Sequence, residues 1–308
     1  MQQDSLVEIN ICTPPELTDP IASFLVDQKS GGVLIEDISD EEALGDRKKM
    51  GWQWVRAYFP SERLNELRGL VTVYLSELQD VQHQSEPPFF DLRSTPLKDW
   101  GQAWKAFFKP IQVCQDVVVK PSWESVPRNV THVLDIDPGM AFGMGSHPST
   151  RQAAEAIRMV LCGMEDFTPT LGVFSALDVG TGSGILAMVA AKLGVPRILG
   201  IDIEAEAVRA ARENVINNKL TRRIEIQGYP LDEVFETFDM VIANIIPSTL
   251  VENREELVGK LNPGGALILS GILRNQGAAV KSQFLKTRVE FVATTHEENW
   301  CALIFRKI

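Results

Sequence analysis

Three glycines at alternate positions stand in the run Leu177-Asp-Val-Gly-Thr-Gly-Ser-Gly184, between a short apolar segment and a helical one. Glycine has no Cβ, so Gly180, Gly182 and Gly184 permit sharp turning and let a ligand touch the backbone. Such a turn belongs between a strand and a helix N-terminus, where it seats a nucleoside cofactor. The third glycine of a dinucleotide fingerprint would fall at Ile185, so the pattern is instead G-x-G-x-G, preceded by the acidic Asp178. The next apolar run, Leu199-Gly-Ile, ends on Asp202. An acid at the tip of a second strand can accept hydrogen bonds from both hydroxyls of a ribose.

Glycine loop, helix and acidic strand end together resemble the cofactor half of the S-adenosylmethionine-dependent methyltransferases. The stretches around the loop alternate as that resemblance requires. Residues 176–179, 198–201, 224–227, 240–243 and 266–270 are strand-like. Residues 151–161, 185–193, 206–217 and 255–261 are helix-like. Alternation of this kind predicts a largely parallel, doubly wound α/β sheet. The tail breaks the pattern: residues 289–294 and 300–305 form successive strands with a short connection, a closing hairpin. Residues 117–119 and 131–136 are expected to form an introductory hairpin, and residues 261–265, Leu-Asn-Pro-Gly-Gly, a helix stop and tight turn.

Residues 1–94 read as a separate small α+β domain. Strand-like residues 6–11, a helix begun at Pro14-Pro15, strands at 33–38 and 52–59, and a helix capped by Ser61 give a β-α-β-β-α order, with Phe89–Leu92 as candidate fourth strand. That order predicts a ferredoxin-like module. Residues 95–109 form the expected linker helix, in which Leu97, Trp100, Trp104, Phe107 and Phe108 recur at helical spacing. The stripe is either core or a docking face between domains. The catalytic domain is expected over residues 110–308.

Composition removes several function classes. The net charge of −11 argues against direct nucleic-acid binding and suits a basic partner. No apolar run reaches membrane-spanning length, and the N-terminus lacks the basic start of a signal peptide. Cys12, Cys114, Cys162 and Cys301 lie far apart, which predicts reduced thiols in the cytoplasm, and the four histidines show no metal-ligand spacing.

Two segments join the loop around the cofactor. In Asp137-Pro-Gly-Met-Ala-Phe-Gly-Met-Gly-Ser-His-Pro-Ser-Thr150, Thr150 can hydrogen-bond the methionine part of the cofactor at the start of a helix. Phe142 either covers a sulfonium by a cation–π contact or anchors the core. His147 is either catalytic or holds the loop by a hydrogen bond. Asn244, in Ala243-Asn-Ile-Ile-Pro247, ends the fourth parallel strand, where it faces the transferred group and offers an acceptor to an amine. Asn244 is the expected catalytic residue, and the expected cofactor ligands are Thr150, Gly180, Gly182, Asp202, Asn244 and Phe142.

These segments, with Gly31-Gly-Val-Leu-Ile-Glu36, Leu269-Ser-Gly-Ile-Leu273 and Glu298-Asn-Trp300-Cys, closely resemble the PrmA family over nearly the whole chain. The resemblance implies N-methylation of lysine side chains and the N-terminal amine of a stalk-base protein of the large ribosomal subunit, L-eleven. It also implies a substrate-recognising first domain, and the protein is expected to be a monomer. Relatives read Gly-Thr-Gly-Thr-His where this chain has Gly143-Met-Gly-Ser-His147, so Met144 and Ser146 alter that loop's hydrogen bonding. The alternatives are another protein or a small-molecule amine as substrate, a nucleic-acid methyltransferase, and a noncatalytic module retaining the fold.

Overall fold

The computed structural model describes residues 5–28, 30, 33–38, 52–60, 63–82, 88–96, 109–126, 130–137, 145, 147–162 and 174–308. The linker stripe at 97–108, the Phe142 position and the Met144 and Ser146 departures lie outside the described residues. The chain divides into two compact units, residues 1–107 with 138–140, and residues 108–137 with 141–308.

The first unit runs β1 (Ser5–Thr13), α1 (Pro15–Asp27), β2 (Val33–Asp37), β3 (Gln53–Pro60), α2 (Leu64–Gln82) and β4 (Phe89–Pro96). Its four strands pair antiparallel in the order β2-β3-β1-β4, the ferredoxin-like arrangement. Alternate residues Val7, Ile9 and Ile11 of the central strand enter the core. They meet Leu17, Ile21 and Leu25 of α1 and Leu67, Val71 and Leu75 of α2, each set spaced four apart along one helix face.

The second unit opens with β5 (Ile111–Cys114), β6 (Val117–Lys120) and β7 (His132–Asp135). Here the sequence expectation is corrected. The hairpin is β5–β6, closed by the short Gln115-Asp116 turn, whereas β7 lies parallel to β6, pairing Val117 with His132 and Val119 with Leu134. The chain between β6 and β7 returns to the start of β6, so the two strands run the same way.

Next come α3 (Pro148–Cys162), β8 (Ser175–Val179), α4 (Ile185–Lys192), β9 (Arg197–Ile201), α5 (Ala205–Asn217), β10 (Ile224–Gln227) and β11 (Phe238–Asn244). The unit closes with α6 (Pro247–Glu252), α7 (Arg254–Gly259), β12 (Leu261–Leu273), α8 (Arg274–Phe284), β13 (Val289–Glu297) and β14 (Trp300–Lys307). Seven strands form one sheet in the order β10-β9-β8-β11-β12-β14-β13. All neighbours are parallel except β14, which runs antiparallel to both β12 and β13. The expected helix stop and turn at residues 261–265 is instead part of β12, as an irregularity where the register with β11 shifts between Phe238 and Met240. Gly264 has φ 77° there.

Alternation along the strands feeds two cores. Ala176, Met240, Ile242 and Ile268 pack on one face with α3 and α4, while Leu177, Val241, Leu267 and Phe305 pack on the other. Helix α4 is buried along Ile185–Ala191, which explains its apolar sequence. The outer strand β13 carries a bulge between Phe291 and Ala293, and Lys281 Nζ sits 3.1 Å from the centre of the Phe291 ring.

Candidate active site

Strand order reverses between β8 and β11, since β8 leads to β9 on one side and β11 lies on the other. Ligands of such sheets bind beyond the strand carboxyl ends at that point. Gly180, Asp202 and Asn244 all stand there, following or ending β8, β9 and β11.

The glycine loop is held from three directions. The amides of Gly180 and Thr181 donate to the Ile201 carbonyl at 3.0 and 2.9 Å, tying the loop to β9. Asp178, buried at the end of β8, accepts Thr181 Oγ1 at 2.6 Å and the Ala187 amide at 3.1 Å, tying it to α4. Burial pushes the Asp178 carboxyl up to about 6; these two hydrogen bonds oppose the rise, and Asp202 adds to it. Asn214 Nδ2 of α5 donates to the Ser183 carbonyl at 2.9 Å.

The glycines are required by geometry at two positions in particular. Gly180 has φ 68°, and a Cβ there would lie 2.6 Å from Ile245 Cγ2. Gly271, at the end of β12, has φ 78°, and a Cβ would lie 2.5 Å from the Ile245 carbonyl oxygen and 3.3 Å from Asn244 Oδ1. Side chains at either place would displace the floor beside Asn244.

Asp202 is bound to the loop it serves. Its Oδ2 accepts the Gly182 amide at 2.9 Å and its Oδ1 the Glu204 amide at 3.0 Å. Each carboxylate oxygen has two acceptor directions, so the pair retains capacity for a diol. Ile203, next in the chain, is 79% exposed and presents apolar surface beside that carboxylate. These residues fit a nucleoside cofactor.

Across the reversal point, Asn244 Nδ2 approaches Thr150 Oγ1 at 3.5 Å, bringing together two residues far apart in sequence. Thr150 is buried in the first turn of α3. His147 precedes that helix. Its Nδ1 accepts the Ser149 amide at 3.2 Å and contacts Ser149 Oγ at 2.7 Å, a loop-holding role and one of the two the sequence left open. Its ring meets Trp300 edge-on, with centres 4.6 Å apart. Ser270, register partner of Asn244, donates from its hydroxyl to the Ser149 carbonyl at 2.8 Å.

Sequence reasoning missed one group beside these. Glu297, at the end of β13, accepts Arg151 Nε at 2.8 Å and Gln152 Nε2 at 3.0 Å. No local motif announces it, because its partners come from 145 residues away and more. Among the described residues, no group of His, Cys, Asp and Glu side chains assembles as metal ligands. Among them, too, no helix is long and apolar enough to cross a membrane.

A seven-stranded sheet in this order, with a glycine loop after its first strand and an acid after its second, defines a Rossmann-like, S-adenosylmethionine-dependent methyltransferase. The family model of ribosomal protein L11 methyltransferase (PrmA) matches residues 5–308, and the chain belongs to that family. The chain is 35% identical to the ribosomal protein L11 methyltransferase of Pelobacter propionicus over 98% of this chain and 97% of that one. It is 36% identical to that of Geobacter metallireducens over 97% of each. Among solved structures, the ribosomal protein L11 methylase of Lactobacillus delbrueckii subsp. bulgaricus is 29% identical with a TM-score of 0.57. It covers 65% of this chain and 100% of its own.

Proposed function

We propose that this protein methylates lysine side-chain amines and the N-terminal amine of ribosomal protein L11, with Asp202, the Gly180–Gly182 turn, Thr150 and Asn244 holding the methyl donor. The apposition of Thr150 and Asn244 across the strand-order reversal, opposite the loop-bound carboxylate of Asp202, carries this reading. Family membership over residues 5–308 supports the choice of substrate.

S-adenosylmethionine supplies a methyl group on a positively charged sulfur. The chain's own residues do the rest by position. Asp202 accepts the ribose hydroxyls with the capacity left by Gly182 and Glu204. Gly180 and Gly182 let the backbone pass close to the cofactor, Ile203 gives its base an apolar surface, and Thr150 offers a hydroxyl to its methionine part.

Asn244 is the catalytic residue. Its Oδ1 accepts an N–H of the incoming amine, which turns the nitrogen lone pair toward the methyl carbon. An amine must arrive neutral, so its ammonium proton leaves to water before transfer. The N–C bond would then form as the C–S bond breaks, the sulfur leaving as a neutral thioether. The methylated ammonium would lose a proton only before a further round. Orientation and exclusion of water therefore supply the acceleration, and no strong base is needed.

The first unit, with its own core and ferredoxin-like sheet, serves as the recognition domain for the ribosomal protein. The enzyme acts as a monomer in the cytoplasm, without direct nucleic-acid contact, its acidic charge matched to a basic substrate. Incubating purified protein, S-adenosylmethionine and L11, followed by intact-mass and peptide mass spectrometry, tests the proposal. Methyl increments on lysines and the N-terminus are expected, and an unmodified substrate would refute it.

A further inference from the structure

We infer that Glu297 is a positioning residue of the methyl-donor site, holding the first turn of α3 so that Thr150 faces Asn244. The inference rests on the reading of Thr150 as a cofactor ligand.

Thr150 sits between two anchors. On one side, Ser270 Oγ of β12 donates to the Ser149 carbonyl at 2.8 Å. On the other, Glu297 of β13 takes both following residues. Arg151 reaches Oε1 through Nε and Nη2, each at 2.8 Å, and Gln152 reaches Oε2 at 3.0 Å. Thr295 Oγ1, two residues earlier on β13, donates to the Gln152 carbonyl at 3.2 Å. Ser270 is the register partner of Asn244, so the first anchor references the turn to the strand pair that carries the catalytic carboxamide.

An exposed ion pair contributes little and fixes nothing. This pairing differs, because Gln152 is only 7% exposed and one carboxylate gathers donors from consecutive residues of a single helical turn. Burial alone would raise the Glu297 pKa, yet the hydrogen bonds from Arg151 and Gln152 hold its carboxyl below the usual range. Charge-assisted bonds of this kind are the stronger class. With Ser149, Arg151 and Gln152 all held, the backbone that carries Thr150 is fixed, and with it the position from which its buried hydroxyl meets Asn244.

The test measures S-adenosylmethionine dissociation constants by calorimetry for the full chain and for E297A, E297Q, T150A and T150A/E297A, with melting temperatures alongside. We expect E297A to raise the constant about tenfold and E297Q, which keeps the size and one acceptor, about threefold. In the T150A background, E297A adds less than twofold, because the group it orients is gone. If E297A does not fold, E297Q and T150A/E297Q carry the same comparison. Unchanged affinity in the Glu297 variants, or an equal factor in both backgrounds, overturns the inference, even where the melting temperature falls. If T150A alone leaves affinity unchanged, the reading of Thr150 fails, and this inference with it.

Discussion

The carboxylate of Asp202 accepts the backbone amide of Gly182 at 2.9 Å, so the acid after the second parallel strand and the loop after the first are one assembly. Asp202→Ala therefore removes the brace of the loop together with the proposed ribose ligand. Cofactor affinity is expected to fall by about 2–4 kcal/mol, the worth of one or two charged hydrogen bonds. Calorimetric titration checks this, and an unaltered constant would rule out the ribose role.

Asn244→Ala should lower kcat by roughly a hundredfold, as expected when one preorganised polar group is lost from a reacting centre. Affinity for the ribosomal protein, measured as KM, should change far less. A raised KM with kcat unchanged would show instead that Asn244 acts in ground-state binding.

Gly271→Ala sets a methyl 2.5 Å from the Ile245 carbonyl oxygen at a φ of 78°. Left-handed strain costs about 1–2 kcal/mol by itself, and the backbone collision adds to it. We expect a lower melting temperature together with a lower kcat, since the displaced atoms adjoin Asn244. Gly194→Ala is the control: its φ of 110° is also strained, but nothing lies within 4 Å of its Cβ position. It should lose stability without losing turnover.

Asp178 provides a pH dependence. Its folded pKa of about 6 lies above the ordinary 3.8, chiefly through burial. A group raised on folding stabilises the native state only while protonated. That contribution is complete below about pH 4 and is lost as pH rises through about 6. Asp178→Asn keeps an acceptor for Thr181 and Ala187 but does not titrate. The melting temperature of D178N should thus gain on the wild type between about pH 4 and 7 and stay level above that range. Parallel curves would contradict the assignment.

A chain starting at residue 108 retains both cores of the large sheet, which draw on residues 113–305. We expect it to bind S-adenosylmethionine within about twofold of the full-length affinity, a difference well under 1 kcal/mol. Methylation of the ribosomal protein should be lost. Normal modification by the shortened chain would disprove the recognition role of the first unit.

The placement of the glycine loop, Asp202 and Asn244 at strand ends was legible in advance, because the alternation of buried strands and helices leaves a strong period in the sequence. Other elements left no such trace. Strand β5 has four residues, too few to show alternation, so the β5–β6 hairpin was missed and β7 was given the wrong direction. Helix α8 buries only Gly277, Val280 and Phe284 along a largely polar stretch, a weak apolar stripe interrupted by glycine. Helix α6 has six residues and one buried side chain, Leu250, with Pro247 at its start as the lone signal. Glu297 depends on pairing across the sheet edge, and nothing local marks it.

The margin of the large sheet has a further effect. A bulge at Phe291–Ala293 interrupts the β13 ladder, and the Lys281 ammonium rests against that same point. A strand from another molecule meets a broken row of hydrogen-bonding groups and a positive charge, so self-association through this border is discouraged.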